Sequence, residues 1–225
     1  NREAQTRYVT VSAQVDSDHN IGLVASQVDK KLATYKLPQG YTLEMSGENE
    51  TINESMVEVF KMLALAVVFI YLIMVAQFQS LLSPFIIMFT IPLAFTGGLF
   101  GLWLTGSYVS VIAMIGFVML SGIIVNNGIV LVDYINQQRK QGVEKYEAIV
   151  EAGRTRLRPI VMTALTTILG LLTMAIGLGM GAEMTQPMAI VTIGGLIYGT
   201  LLTLLVVPCI YDLLNRKKDM REEEI

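Results

Sequence analysis

The chain has 225 residues, of which 53% are hydrophobic and 16% are charged, and its mean hydropathy is +0.55. About 25% of the residues of an ordinary soluble domain are charged, so this composition excludes that class. We therefore expect a membrane protein. The net charge is −3 and no basic patch carries interleaved aromatic residues, so we expect no nucleic-acid partner.

The sequence carries no recognisable catalytic or metal-binding motif. His19 is its single histidine and Cys209 its single cysteine, so we expect neither a metal site nor a disulfide framework. Because G-x-S-x-G, P-loop and H-E-x-x-H patterns are absent as well, we predict no cofactor and no enzyme activity. Without a nucleotide site, active transport would have to use an ion gradient.

Residues 1–50 are predicted to form a β-α-β piece. Residues 8–15, YVTVSAQV, alternate between apolar and polar side chains, as in a half-buried strand. Residues 21–37 have apolar positions at helical spacing, and residues 41–45 alternate again. A piece of this length is too short for a stable domain. No signal peptide precedes it, so we expect the chain to be the C-terminal part of a longer protein.

Residues 51–225 are predicted to form a transmembrane domain. Lys and Arg are absent between Lys61 and Arg139, and again from Pro159 to Asn215. Runs of about 20 apolar residues can cross a membrane as helices. The fold class is therefore an all-α polytopic membrane bundle with an N-terminal β-α-β piece of an α/β subdomain. The five predicted spans cover residues 56–77, 84–104, 109–135, 159–178 and 187–214.

Two of the prolines in the predicted spans, and one pair of glycines, indicate local structure. Pro92 falls inside the second span, where neighbouring helices can satisfy the freed carbonyl. Pro159 suits the first turn of the fourth span. Gly195 and Gly199 form a G-x-x-x-G motif in the fifth span, which predicts close packing against another helix.

Basic residues predict the orientation of the spans. Residues 136–158 contain six Lys or Arg residues and the tail after residue 215 contains four, whereas the turns at 105–108 and 179–186 contain none. The positive-inside rule therefore places the long segment and the tail in the cytoplasm, and residues 1–50 outside. VEKYEAIVEAG, within the long segment, is predicted to be an amphipathic helix, either on the membrane surface or as a solvated connector.

Polar side chains occur deep in the third predicted span. Asn126 and Asn127 differ by about 100° around a helix and cannot share a face, whereas Asn126 aligns with Asp133. From its depth, Thr163 in the fourth span can meet Asn127 if the two helices pack side by side. Such groups also link helices without further function, which is our interpretation of single threonines. For Asn126, Asn127 and Asp133 together we favour a functional role.

Three stretches resemble the last spans of the resistance-nodulation-division (RND) efflux pumps, and most closely those of the hydrophobe/amphiphile drug-export branch. They are LSGIIVNNGIVLVDYINQ, AGRTRLRPIVMTALTTILGLL and VVPCIYDLL. DSDHNIGLVASQVDKKLATYKLPQGY is similar to the family's porter subdomain. The resemblance implies that residues 1–50 end an extracytoplasmic porter subdomain and that residues 51–225 are the last five spans of a longer pump.

The family's proton-relay positions fall on four residues of this chain. The relay lysine is replaced by Asn126, the adjacent asparagine is matched by Asn127, and Arg156 and Thr163 match the family's arginine and threonine. Asp133 is a further candidate for ion coupling. Because an asparagine supplies no countercharge, the standard relay cannot operate unchanged.

The resemblance implies a proton-driven antiporter of the inner (cytoplasmic) membrane that exports amphiphilic or hydrophobic compounds, as in multidrug resistance. It also implies a homotrimer and, in a Gram-negative cell, a periplasmic adaptor and an outer-membrane channel. Two alternatives stay open. One is an ion-coupled lipid or protein exporter of the same superfamily, with sodium as the alternative coupling ion. The other is a non-transporting membrane receptor or scaffold.

Overall fold

The computed structural model describes residues 2–3, 6–7, 9–14, 21–32, 34–35, 37–38, 48–177 and 181–214. The chain divides into two compact units, residues 1–55 and residues 56–225. The first unit contains a short antiparallel pair, β1 (Arg2–Glu3) with β2 (Thr6–Arg7), and the helix α1 (Ile21–Leu32).

The β-α-β prediction is wrong at its first strand. Residues 9–14 have no regular secondary structure, and Val9 and Val11 are 91% and 90% exposed. An extended segment becomes a strand by pairing its backbone groups with a neighbour, and β1 and β2, the strands of the described residues, pair only with each other. The helix predicted over residues 21–37 is present but ends at Leu32. The second predicted strand, residues 41–45, lies outside the described residues.

Five helical segments are long and apolar enough to cross a membrane, which confirms the predicted helical membrane bundle. The helices that form them are α2 (Glu48–Phe78), α3 (Leu82–Met88), α4 (Thr90–Thr105), α5 (Val111–Lys140), α6 (Lys145–Ala175) and α7 (Ala182–Leu214). The turn after α4 is fixed by Gly106, whose positive φ of 68° ends the helix, and by the Ser110 hydroxyl, which accepts from the backbone N–H of Ala113.

The second span differs from its prediction because it consists of two helices. Pro92 has no N–H to donate to the carbonyl of Met88, so a regular hydrogen bond of the helix is missing there. The structure is interrupted at Phe89, between α3 and α4. The buried Thr90 hydroxyl donates to the Ile87 carbonyl at 2.6 Å, which satisfies a polar group at the break.

The fourth span also differs, because Pro159 lies inside α6 and not in its first turn. The predicted amphipathic segment and the fourth span are one continuous helix. Ala148 and Ala152 are fully buried in a cluster with Ile135 and Val207. The apolar face of the segment is thus covered by the bundle, and this burial stabilises the helix on the N-terminal side of the proline.

Helix α7 packs closely against α4 through glycines. A Cβ atom added to Gly194 would lie 2.8 Å from the Gly97 carbonyl oxygen and 3.2 Å from the Gly101 Cα atom. Gly97 and Gly101 form a second G-x-x-x-G motif, which faces Gly194 of α7. With no side chains between the backbones, the two helices approach as in close membrane helix pairs.

The predicted motif of α7 lies on the neighbouring face, between α4 and α5. A Cβ atom at Gly199 would lie 2.8 Å from Ile124 Cδ1 and 2.9 Å from Ala94 Cβ. At Gly195 it would collide with the Leu120 side chain and lie 3.0 Å from the Ala94 carbonyl oxygen. Both positions therefore require glycine for steric reasons.

We predict that Gly199→Val destabilises the bundle by about 1–3 kcal/mol, the typical cost of overpacking a filled interior. The matched control is Gly170→Val on α6, where an added Cβ atom meets nothing within 4 Å. Thermal unfolding of the purified protein in detergent should give a lower Tm for Gly199→Val than for the control. Equal melting temperatures would contradict the close packing.

Candidate functional site

The two adjacent asparagines lie near the middle of the 30-residue helix α5 and have opposite surroundings. Asn126 is exposed, whereas Asn127 is 5% exposed. The Asn127 Nδ2 atom is buried and has no hydrogen-bond partner within the described ranges. The prediction that the two amides cannot share a face is therefore confirmed.

Asn126 belongs to a stripe of exposed residues along α5, which we call the outer stripe. It runs through Ile115, Met119, Gly122, Asn126, Asp133, Gln137 and Lys140, at spacings of three, four or seven residues. These spacings place all members on one face of a helix. The alignment of Asn126 with Asp133 agrees with this face, and an added Cβ atom at Gly122 meets nothing within 4 Å. The outer stripe is a surface that the described residues leave uncovered.

Arg156 of α6 contacts α5 through an aromatic ring. Its guanidinium carbon lies 4.8 Å from the centre of the Tyr134 ring, a distance typical of a cation–π interaction. Its Nε atom is buried without a hydrogen-bond partner in the protein. Asn127 lies seven residues before Tyr134, and Thr163 lies seven residues after Arg156. In antiparallel helices this places both about 10 Å from the cation–π contact and level with each other.

Thr163 and Asn127 share a level but no hydrogen bond joins them among the described residues. The Thr163 hydroxyl donates to the Ile160 carbonyl of its own helix at 2.9 Å, and the residue is exposed. The predicted equality of depth therefore agrees with the structure, whereas the predicted meeting of the side chains is absent within this chain. Asn126, Asn127 and Thr163 are neutral, so they can pass hydrogen bonds along but cannot store a proton.

A second polar cluster, the Tyr211 network, joins three helices at the basic end of the bundle. The fully buried Tyr211 hydroxyl donates to Asn136 Oδ1 at 2.6 Å and accepts from Arg139 Nη1 at 3.4 Å. Asn136 Nδ2 in turn donates to the Ser83 hydroxyl at 3.5 Å. The network connects α3, α5 and α7, so it fixes the ends of these helices relative to one another.

One exposed ion pair adds to this end of the bundle. Lys145 Nζ lies 2.5 Å from Asp212 Oδ1 and also donates to the Asp212 carbonyl at 3.1 Å. Sequence reasoning missed both this pair and the Tyr211 network. The available signal was a tyrosine inside an apolar run, because a buried tyrosine hydroxyl usually finds a partner.

No group of three or more His, Cys, Asp or Glu residues that could hold a metal ion occurs within the described ranges. Cys209 is exposed on α7. His19 lies outside the described residues. The side chains of Asn126, Asn127 and Thr163 thus form a neutral site on α5 and α6, and the cation Arg156 lies at its edge.

Comparison with known proteins gives consistent matches over the chain. The family model described as AcrB/AcrD/AcrF matches residues 1–215. The swarming motility protein SwrC of Bacillus subtilis is 38% identical over 221 residues, covering 96% of this chain. The cobalt-zinc-cadmium resistance protein CzcA of Cupriavidus metallidurans is 34% identical over 223 residues, covering 99% of this chain.

The fold is shared with a solved heavy metal efflux pump. Its crystal form II aligns with a TM-score of 0.78 and 28% identity over 88% of this chain and 20% of the pump. The chain spans 21% of the length of both SwrC and CzcA. It therefore corresponds to about one fifth of these larger proteins.

We predict that Tyr211→Phe destabilises the protein by about 1–3 kcal/mol, because it removes the donor to the partly buried Asn136 and the acceptor for Arg139. The control is Tyr198→Phe on the same helix, where the tyrosine is 45% exposed. The melting temperature in detergent should fall for Tyr211→Phe only. A fall of the same size in both variants would contradict the role of the network.

Proposed function

Because the chain belongs to the AcrB/AcrD/AcrF family, we propose that it is the C-terminal part of a proton-driven efflux transporter, with its five spans as the last five of a longer pump. The RND relationship expected from the sequence is confirmed by this match and by the similarity to CzcA and to the heavy metal efflux pump. The relatives are transporters of the RND family, so the chain is part of a transporter and not of an enzyme.

The observation that carries the proposal is the pair of amides in the middle of α5. An amide in a membrane span is costly unless it finds polar partners, and such residues mark ion pathways. Asn126 is exposed on the outer stripe, and the Asn127 Nδ2 atom is buried without a hydrogen-bond partner among the described residues. In the proposed pump, a span from the rest of the transporter covers the outer stripe and brings an acidic group to Asn126.

Each site residue has a defined role in the proposed relay. Asn127 and Thr163, level with each other, hydrogen-bond to the proton-carrying group, and Arg156 supplies positive charge at the cytoplasmic side of the path. Asn126 stands where the family has a lysine, so this relay works without that countercharge. Asp133, two helical turns further along the outer stripe, is the acid of α5.

We further propose that residues 1–50 belong to an extracytoplasmic porter subdomain and that the complete protein is a homotrimer in the cytoplasmic membrane. An adaptor and an outer-membrane channel would be its partners in a Gram-negative cell. The amphiphilic substrate class follows from the resemblance described above. A second candidate is a metal cation, which is favoured by the similarity to CzcA and to the heavy metal efflux pump.

The orientation of the bundle is testable by cysteine labelling of the full-length protein. In a Cys209→Ser background, Tyr108→Cys in the turn after α4 should react with an impermeant maleimide added outside intact cells. Lys145→Cys at the basic end should react only after the membrane is opened, as basic loops stay in the cytoplasm. Labelling of position 145 from outside would reverse the proposed topology.

The coupling site is testable by efflux from proteoliposomes that contain the full-length transporter. We predict that Asn127→Leu and Thr163→Val each slow pH-gradient-driven efflux about tenfold or more, since a lost hydrogen bond of about 1.4 kcal/mol in the rate-limiting state has that effect. The matched control is Thr173→Val on α6. Its hydroxyl also donates to its own helix, ten residues beyond Thr163.

The same assay distinguishes the alternatives. It is run with an amphiphilic dye and with Zn²⁺ as separate substrates, in the presence and absence of sodium. Normal efflux by Asn127→Leu and Thr163→Val would show that both residues contribute only to helix packing. Efflux that requires sodium and does not respond to the pH gradient would show that sodium, and not the proton, is the coupling ion. Transport of Zn²⁺ without transport of the dye would assign the metal substrate.

A further inference from the structure

Two buried threonines of α7 have hydroxyls without a partner among the described residues. Thr203 is fully buried and Thr200 is 6% exposed, and no hydrogen bond to either Oγ1 atom occurs in the part of the chain that the structure describes. A buried hydroxyl without a hydrogen bond costs about 1–3 kcal/mol in mutational data. Together with the Asn127 Nδ2 atom, the described spans therefore contain three such polar groups on helices α5 and α7.

The other threonines of the spans have a different arrangement. Nine of them donate to the backbone carbonyl three or four residues earlier, at distances from 2.6 to 3.4 Å: Thr90, Thr96, Thr105, Thr163, Thr166, Thr167, Thr173, Thr185 and Thr192. This is the usual way in which a threonine satisfies itself in an apolar helix. Thr200 and Thr203 depart from it, so their hydroxyls are available to another ligand.

The register of α5 and α7 brings these hydroxyls to the level of Asn127. Leu120 contacts Gly195, Ile124 contacts Gly199, and Asn136 bonds to Tyr211, and each pair is 75 residues apart in the sequence. The same separation places Asn127 opposite residue 202, one position from Thr203. Asn127 continues the face of Leu120 and Ile124, and Thr203 continues the face of Gly195 and Gly199.

A proline removes one regular backbone hydrogen bond of α7 next to Thr203. Pro208 is inside α7 and has no N–H, so the carbonyl of Leu204 lacks its regular donor within the helix. Leu204 follows Thr203 directly. The level of Asn127 therefore combines an amide donor, two hydroxyls that can donate and accept, and a carbonyl acceptor.

We propose that Asn127, Thr200 and Thr203 hold one buried water molecule between α5 and α7. A buried water typically makes about three hydrogen bonds to polar groups that would otherwise be unsatisfied, which matches the number of groups here. The water accepts from Asn127 Nδ2 and bonds to the two hydroxyls. The Nδ2 donor favours a water over a metal cation, because a cation offers no acceptor to an N–H group.

The water site follows from packing and hydrogen-bond satisfaction and does not depend on the proposed export activity. It gives Asn127 a polar neighbour on α7, in addition to the partners proposed for it from the rest of the pump. Loss of efflux in Asn127→Leu therefore tests the relay, whereas the water site is tested by direct observation and by stability.

The direct test is a map of the full-length protein in a lipid nanodisc, at a resolution that shows ordered waters in the protein interior. We expect a density peak within hydrogen-bond distance of Asn127 Nδ2 and of the Thr203 hydroxyl, and its loss in Thr203→Val. A map that shows other buried waters but no peak here overturns the proposal, whatever the efflux assay gives.

The second test compares melting temperatures, because the two possibilities predict opposite signs. If the Thr203 hydroxyl is unpartnered, replacing it by the methyl group of Thr203→Val removes a penalty and leaves the melting temperature unchanged or raised. If it binds the water, the variant loses the water, which leaves Asn127 and Thr200 without their hydrogen-bond partner, and the melting temperature falls.

Three further variants control this comparison. Thr192→Val lies on the same face of α7 and loses only an intrahelical hydrogen bond to the Met188 carbonyl, so its change should be smaller. Thr203→Ser keeps the hydroxyl and should keep the water peak. Thr200→Val replaces Thr203→Val if the latter does not fold. A melting temperature for Thr203→Val, or for Thr200→Val in its place, at or above that of the unmodified protein overturns the proposal.

Discussion

The contact that the rest of the bundle depends on is the close approach of α7 to α4 and α5. Gly194 lies against the backbone of α4, and Gly199 lies against Ile124 and Ala94. Helices in a membrane gain little from the hydrophobic effect, so van der Waals packing at such glycines is their main source of association. The register set there continues to Tyr211 and Asn136 at the basic end.

Polar groups form a connected network at the basic end of the bundle, whereas several in its middle lack a partner. At the basic end, Tyr211, Asn136, Arg139 and Ser83 are joined by hydrogen bonds. In the middle, Asn127, Thr200 and Thr203 each have an atom without a hydrogen-bond partner among the described residues. Buried polar atoms are nearly always paired, and departures from this rule concentrate at functional sites. The middle of the bundle is therefore where ligands, water or the rest of the transporter are to be expected.

Much of the fold was predictable because bilayer thickness imposes long charge-free runs, and these specify five spans directly. What failed depended on contacts between distant residues. Pro159 was placed at a helix start, yet buried Ala148 and Ala152 hold the helix together before it. Residues 9–14 alternate like a strand but pair with no strand among the described residues. The Tyr211 network joins residues 72 and 75 positions apart, which no local pattern reveals.

The asparagine pair shows what helix geometry alone can predict. The 100° between successive helix residues separates Asn126 from Asn127, and in the structure Asn126 is exposed whereas Asn127 is buried. Level counting also places Thr163 beside Asn127, yet its hydroxyl bonds to Ile160 and its side chain is exposed. Depth follows from the 1.5 Å rise per residue, whereas direction depends on which helix covers each face. This chain corresponds to about one fifth of its relatives. In the proposed pump, the span that covers the outer stripe therefore comes from the other four fifths. Asn126, which cannot carry a proton itself, would there lie opposite the group that does.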